Sequence, residues 1–176
     1  MRVIESSISG KYQLIGDIHE ADCVIGQSFG ACEHEPGLVN GQLANYIASR
    51  AIKNLPLLLQ SEIAESLPDS VRRPALVING QPSVSMGGEL DTWSVLSQAR
   101  EYMTENSLNQ PLIVAQAYHV GRVALQAMRL DMEPIVHYGY PRDFDPESTQ
   151  WWTRNLILWS IREVPGIAYL KLKHKL

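Results

Sequence analysis

Pro111-Leu-Ile-Val-Ala-Gln-Ala-Tyr-His-Val-Gly-Arg122 is the stretch on which the reading of this chain turns. Leu112, Ile113, Val114 and Ala115 form a short apolar run without alternation, the pattern of a strand buried on both faces. Val120, Val123, Ala124, Ala127 and Met128 then follow helical spacing. His119 and Arg122 therefore fall at a strand-to-helix crest, the place where open α/β sheets bind ligands. With the helix starting near Tyr118, the two side chains lie three residues apart and project to one side. Unpaired N–H groups in a first helical turn and a permanently charged guanidinium both favour an anion there.

The same alternation extends outward from this stretch. Cys23-Val-Ile-Gly26 reads as a first central strand, followed by the loop Gln27-Ser-Phe-Gly-Ala-Cys-Glu-His-Glu-Pro36. Leu38, Leu43, Ala44, Ile47, Ala48, Ala51 and Ile52 have helical spacing, and Pro56 opens a second helical stretch through Leu67. Pro74-Ala-Leu-Val-Ile-Asn79 is a second strand, and the turn formers of Gly80-Gln-Pro-Ser-Val-Ser-Met-Gly-Gly88 follow it. Asp91 is placed to cap a helix carrying Trp93, Leu96, Ala99, Tyr102 and Met103. Glu133-Pro-Ile-Val-His-Tyr138 reads as a fourth strand, with a helix over 148–162 beyond it. These patterns predict an α/β fold, a Rossmann-like three-layer sandwich with a mainly parallel central sheet. Its strands are expected near 23–26, 75–79, 112–116 and 134–138.

Composition narrows the partners. At 176 residues and 45% hydrophobic, the chain suits one domain over 1–176 with its own core. A formal charge of −4 argues against a general nucleic-acid binder. Lys171-Leu-Lys-His-Lys175 is the only locally basic run and reads as an edge strand or surface tail. Cys23 and Cys32 do not form a disulfide framework. The stretch from Met1 to Asp17 has no signal-peptide core, and no apolar run approaches membrane-spanning length. The expectation is a cytoplasmic protein without membrane or nucleic-acid partners.

Four loops, over 27–36, 80–92, 118–122 and 138–145, are expected to converge at one sheet edge. Gly26, Ser28 and Gly30 offer a turn that could approach a phosphate, without the Lys-Ser/Thr of a Walker loop. Asn79, Glu89, Asp91 and Thr92 form a second polar group, although Asp91 or Thr92 also serves simply as a helix cap. His119 is the candidate catalytic group, able to act as an acid or base near neutral pH or to donate to a ligand. Arg122 either contacts the ligand or pairs with an acid such as Glu89 or Asp143. Cys32-Glu-His-Glu35 lacks zinc-site spacing, and no metal is expected. Gly26-Gln-Ser-Phe-Gly30 also matches GxSxG, so a serine hydrolase using this elbow is an alternative. A noncatalytic interaction module is another.

At these residues the chain resembles the SanA/ElyC/YdcF family of bacterial α/β domains, whose biochemical function is largely undefined. The resemblance lies in Ala21-Asp-Cys-Val-Ile-Gly26, Leu76-Val-Ile-Asn-Gly80, Asp91-Thr92 and Ala117-Tyr-His-Val-Gly-Arg122. Arg162-Glu-Val-Pro-Gly166, with Tyr169 after it, is similar to the family's closing segment. The chain departs from the family in lacking its Ser-Glu-Ala helix before Asp91, and in having Ser94-Val95 where the family has Glu-Asn. The resemblance implies a pocket lined by Asp91, Thr92, His119 and Arg122. It also implies a small-molecule ligand that is anionic, phosphorylated or nucleotide-like, with S-adenosylmethionine as a candidate cofactor.

Overall fold

Four short strands pair side by side in the computed structural model, which describes residues 8–79 and 91–172. They are β1 (Cys23–Gly26), β2 (Leu57–Gln60), β3 (Leu76–Ile78) and β4 (Pro111–Val114). Every pairing is parallel and the order is β3-β2-β1-β4. The chain steps outward twice from β1, then crosses back to lay β4 on its other side. Direction reverses between β1 and β4, and in such sheets the crevice outside the carboxyl ends of those two strands is the ligand position. Helices α1 (Leu38–Ala48), α2 (Ser61–Glu65), α3 (Thr92–Glu105), α4 (Val120–Arg129) and α5 (Leu156–Leu172) flank this sheet. The molecule is thus an α/β, Rossmann-like sandwich.

Burial explains the sequence patterns. All residues of β1, β2 and β4 are buried, so their runs show no polar alternation. β3 forms one border of the sheet, and its Val77 is exposed. Gly26 belongs to this packing: a Cβ there would stand 2.5 Å from Leu59 Cδ2, so the two central strands require its absence.

Three expectations are corrected. The stretch from Pro56 to Leu67 is not one helix, because Leu57-Leu-Leu-Gln60 is the strand between β1 and β3 and only Ser61–Glu65 is helical. A run of leucines has no periodicity to separate a buried strand from a buried helix, and backbone pairing on both sides decides the outcome. The stretch 134–138 is not a full strand: Ile135 makes one parallel bridge with Leu112 and Val136 one antiparallel bridge with Ile15. Pro134 lacks an N–H and the segment soon turns away at Gly139 (φ +85°). The last helix starts at Leu156, after a 3-10 turn over Trp151–Thr153, and runs to Leu172 with Pro165 inside it. The start of the expected C-terminal edge strand is therefore helical, while residues 173–176 lie outside the described residues.

β2 as a central strand gives a direct test. Leu58 has no exposed surface, and Leu58→Ala is expected to cost about 2–5 kcal/mol in urea unfolding. Ile157 on α5 is 72% exposed, and Ile157→Ala should stay within about 0.5 kcal/mol of the parent. Equal losses at the two positions would contradict the burial that a central β2 gives Leu58.

Candidate functional site

The loop leaving β1 is held by side chains from two other elements. Asn40, fully buried on α1, accepts from the Phe29 N–H at 2.9 Å and donates to the carbonyls of Gly30 at 2.7 Å and Pro36 at 2.6 Å. Gln60, at the end of β2, accepts from the Ser28 N–H at 2.8 Å. The Gln27 N–H continues the sheet to Val114 O at 2.9 Å. Gly30 has φ +76°, and a Cβ there would meet Thr153 Oγ1 at 2.6 Å and Ser148 Oγ at 2.7 Å. Close packing and a left-handed backbone both require glycine there. The N–H groups of residues 27, 28 and 29 are thus spent inside the protein, which leaves this turn unlike a phosphate cradle.

The crest after β4 is built in the same way around Gln116, which is fully buried. Its side-chain oxygen accepts from the Tyr118 N–H at 2.7 Å, and its carbonyl accepts from the N–H groups of His119 and Val120. Its amide nitrogen reaches the carbonyls of Arg142 and Asp143. Backbone donors at the start of α4 are largely satisfied internally, so recognition at this edge falls to side chains.

His119 and Arg122 come together with Thr92 and Glu163 in one buried network. Arg122 Nε donates to Glu163 Oε1 at 2.5 Å, its NH1 to Thr92 Oγ1 at 2.9 Å, and its NH2 to His119 Nδ1 at 3.1 Å. A guanidinium can only donate, so Nδ1 accepts and the imidazole hydrogen sits on Nε2. That hydrogen faces Thr92 Oγ1 at 3.4 Å. His119 is further enclosed by the rings of Trp159 and Phe29, at centroid distances of 5.6 and 6.3 Å. Burial, and then the charges of Arg122 and Arg162, hold its pKa well below the usual imidazole range. The neutral ring has both nitrogens engaged. Among the described residues three of Arg122's five N–H groups find partners, leaving one on each terminal nitrogen without one.

These groups line a cavity of about 640 Å³ at the carboxyl edge of the sheet. Ser28, Gly30, Asp91, Thr92, His119 and Arg122, all anticipated from sequence, share its wall. Asp91 is exposed and also caps α3, accepting from the Ser94 N–H at 2.7 Å. Gly26, the last residue of β1, packs against Leu59 and is not part of the wall, and Asn79 is exposed beyond β3, away from it. Glu89 lies outside the described residues. Arg122's partner is Glu163, not Asp143, which instead accepts from Gln42. Sequence reasoning missed the amides Gln27, Gln60 and Gln126 and the aromatic groups Trp152 and Trp159 of the wall. The only signal of the three amides was position, at strand ends for Gln27 and Gln60 and one turn beyond Arg122 for Gln126.

The GxSxG stretch has none of the geometry of a nucleophile elbow. Among the described residues only Ser107 and Asp131 are non-glycines with positive φ, so Ser28 lacks the strained turn. No helix follows it until Leu38, and the Phe29 N–H that would stabilise an oxyanion is bonded to Asn40. Among the described residues no helix is long and apolar enough to cross a membrane, and no cluster of His, Cys, Asp or Glu could hold a metal. Comparison with known proteins finds no matching family model, no matching curated protein and no matching solved structure.

The network predicts two behaviours. Glu163→Leu strands a buried guanidinium and should cost about 3–5 kcal/mol in urea unfolding. The double variant Arg122→Met/Glu163→Leu should lose less than Glu163→Leu alone, because no charge is left uncompensated. The second concerns pH. His119 binds its proton less readily folded than unfolded, where its pKa is near 6.5, so the unfolded chain holds more protons as pH falls below that value. Stability is therefore full above pH 6.5 and falls on acidification, with a slope of up to about 1.4 kcal/mol per pH unit from this group. His137 is also lowered, by its burial and by Arg50, and adds to the same trend. Melts of His119→Gln between pH 7 and 5 should show the smaller slope; an unchanged slope would exclude a buried neutral His119.

Proposed function

We propose that this chain is a SanA/ElyC/YdcF-like small-molecule-binding protein whose cavity takes a nucleotide-like, anionic ligand. The observation that carries the reading is the convergence, at the switch point of a parallel sheet, of aromatic walls with an arginine that keeps unspent donors. Phe29, Trp152 and Trp159 give the cavity an aromatic wall, with the Arg162 guanidinium 4.7 Å from the Trp152 ring centroid. Arg122, held rigid by Glu163, Thr92 and His119, offers its two remaining N–H groups to an oxyanion. Adenosine-containing compounds fit this combination, and S-adenosylmethionine is a candidate among them.

Within this reading His119 is a positioning residue for Arg122 and Thr92. With Nδ1 accepting from Arg122 and the Nε2 hydrogen facing Thr92, Oγ1 receives two donors and turns its own hydrogen elsewhere. Any proton exchange with a ligand therefore passes through Thr92 or requires Arg122 to move. The fold alone does not select a reaction.

The test is calorimetric titration with adenosine 5′-monophosphate and with S-adenosylmethionine, alongside mass spectrometry of compounds carried through native purification. Binding of at least one of the two is expected. Arg122→Lys keeps the charge and loses the fork, and should weaken that binding by about 1.5–3 kcal/mol. If Arg122→Lys lowers the melting temperature but leaves affinity unchanged, the guanidinium is structural only and the ligand assignment fails.

A further inference from the structure

The wall of the cavity contains an acceptor that none of the described residues satisfies. Gln27 is 4% exposed, and its Oε1 is buried without a hydrogen-bond partner. The orientation of that amide follows from its neighbours. The Ser28 backbone N–H can only donate, and it donates to Gln60 Oε1 at 2.8 Å, so the oxygen of Gln60 is at that position. Gln27 approaches the same oxygen at 2.6 Å and must therefore present its nitrogen. Its carbonyl oxygen is left over on the other side, in a residue that lines the cavity. Turning the Gln27 amide over would place two acceptors in contact, and turning Gln60 as well would oppose two donors at Ser28.

A second amide in the same wall is unpaired. Gln126 is 1% exposed, stands one turn beyond Arg122 on α4, and has a buried Oε1 without a partner. Its amide can turn either end to a ligand, whereas that of Gln27 can offer only oxygen. A buried unpaired acceptor costs roughly 1–3 kcal/mol, and a site carrying one rejects compounds that bring no hydrogen to it.

We infer that Gln27 is a specificity-determining residue of this cavity, accepting a hydrogen from an amino or hydroxyl group of the ligand. Arg122 and Gln27 then divide the recognition, one donating to an oxyanion and the other accepting from a donor. The inference rests on the nucleotide-like reading of the cavity and adds a polarity requirement to it.

Adenosine 5′-monophosphate and three analogues that each lack one donor test it: purine riboside 5′-monophosphate, 2′-deoxyadenosine 5′-monophosphate and 3′-deoxyadenosine 5′-monophosphate. Titrated into the unaltered protein, one analogue should bind roughly tenfold to a hundredfold more weakly than adenosine 5′-monophosphate. The affected analogue tells a base amino group from a sugar hydroxyl. In Gln27→Met, which leaves the Ser28 contact to Gln60 in place, that analogue and the parent compound should bind equally. Equal binding of all four compounds to the unaltered protein would overturn the inference while leaving the nucleotide reading standing. So would a discrimination that persists in Gln27→Met. If none of the four binds, the inference fails, and the nucleotide reading fails with it when S-adenosylmethionine does not bind either.

Discussion

The ion pair between Arg122 and Glu163 joins the two parts of the molecule that make the cavity. Arg122 sits in the first turn of α4, fixed to the sheet by the short turn after β4, whereas Glu163 belongs to α5, the last helix. Both side chains are almost wholly buried. A charge in that position is tolerable only beside its opposite, with its other donors satisfied. The pair consequently fixes where α5 crosses the carboxyl edge of the sheet. That in turn sets the places of Trp159 against His119 and of Tyr169 in the cavity wall. Thr92 brings α3 into the same arrangement through its hydroxyl.

Polar groups around the site divide into those that build it and those it holds out. Asn40, Gln60 and Gln116 consume backbone donors of the two loops that a Rossmann-like sheet commonly offers to phosphate. The edge has a familiar topology with a different chemistry, because the N–H groups of residues 27–29 and 118–120 are bonded within the protein. Burial also changes what histidine means here. A residue whose ordinary pKa makes it a natural acid or base is kept neutral, with Nδ1 accepting from Arg122 and Nε2 facing Thr92.

Much of the architecture could be read from the residues alone, and the failures have physical causes. β1, β3 and β4 were legible as apolar runs next to glycine, proline or a helix cap, and Asp91 caps its helix as its position predicts. β2 was not, since Leu57-Leu-Leu carries no period and leucine suits helices well. The start of α5 was misplaced because the turns over 148–155 contain no glycine or proline to mark them. At the site, His119 and Arg122 are neighbours in sequence and meet in space, while the ion-pair partner of Arg122 lies 41 positions away on another element. Nothing local in Arg162-Glu-Val-Pro-Gly166 distinguishes a carboxylate that turns inward from one that faces water. The orphaned amides were equally invisible, because an unpaired atom is a property of the whole surroundings.

That sequence separation bears on how the chain is made. During synthesis the four strands and α4 are complete well before Glu163 has been added, so the nascent protein can assemble its sheet while Arg122 still lacks a counter-charge. Until α5 arrives, the guanidinium must remain hydrated and the edge of the sheet open. Closure of the cavity therefore waits for Glu163, and comes after the residues of the sheet and α4 have all been added.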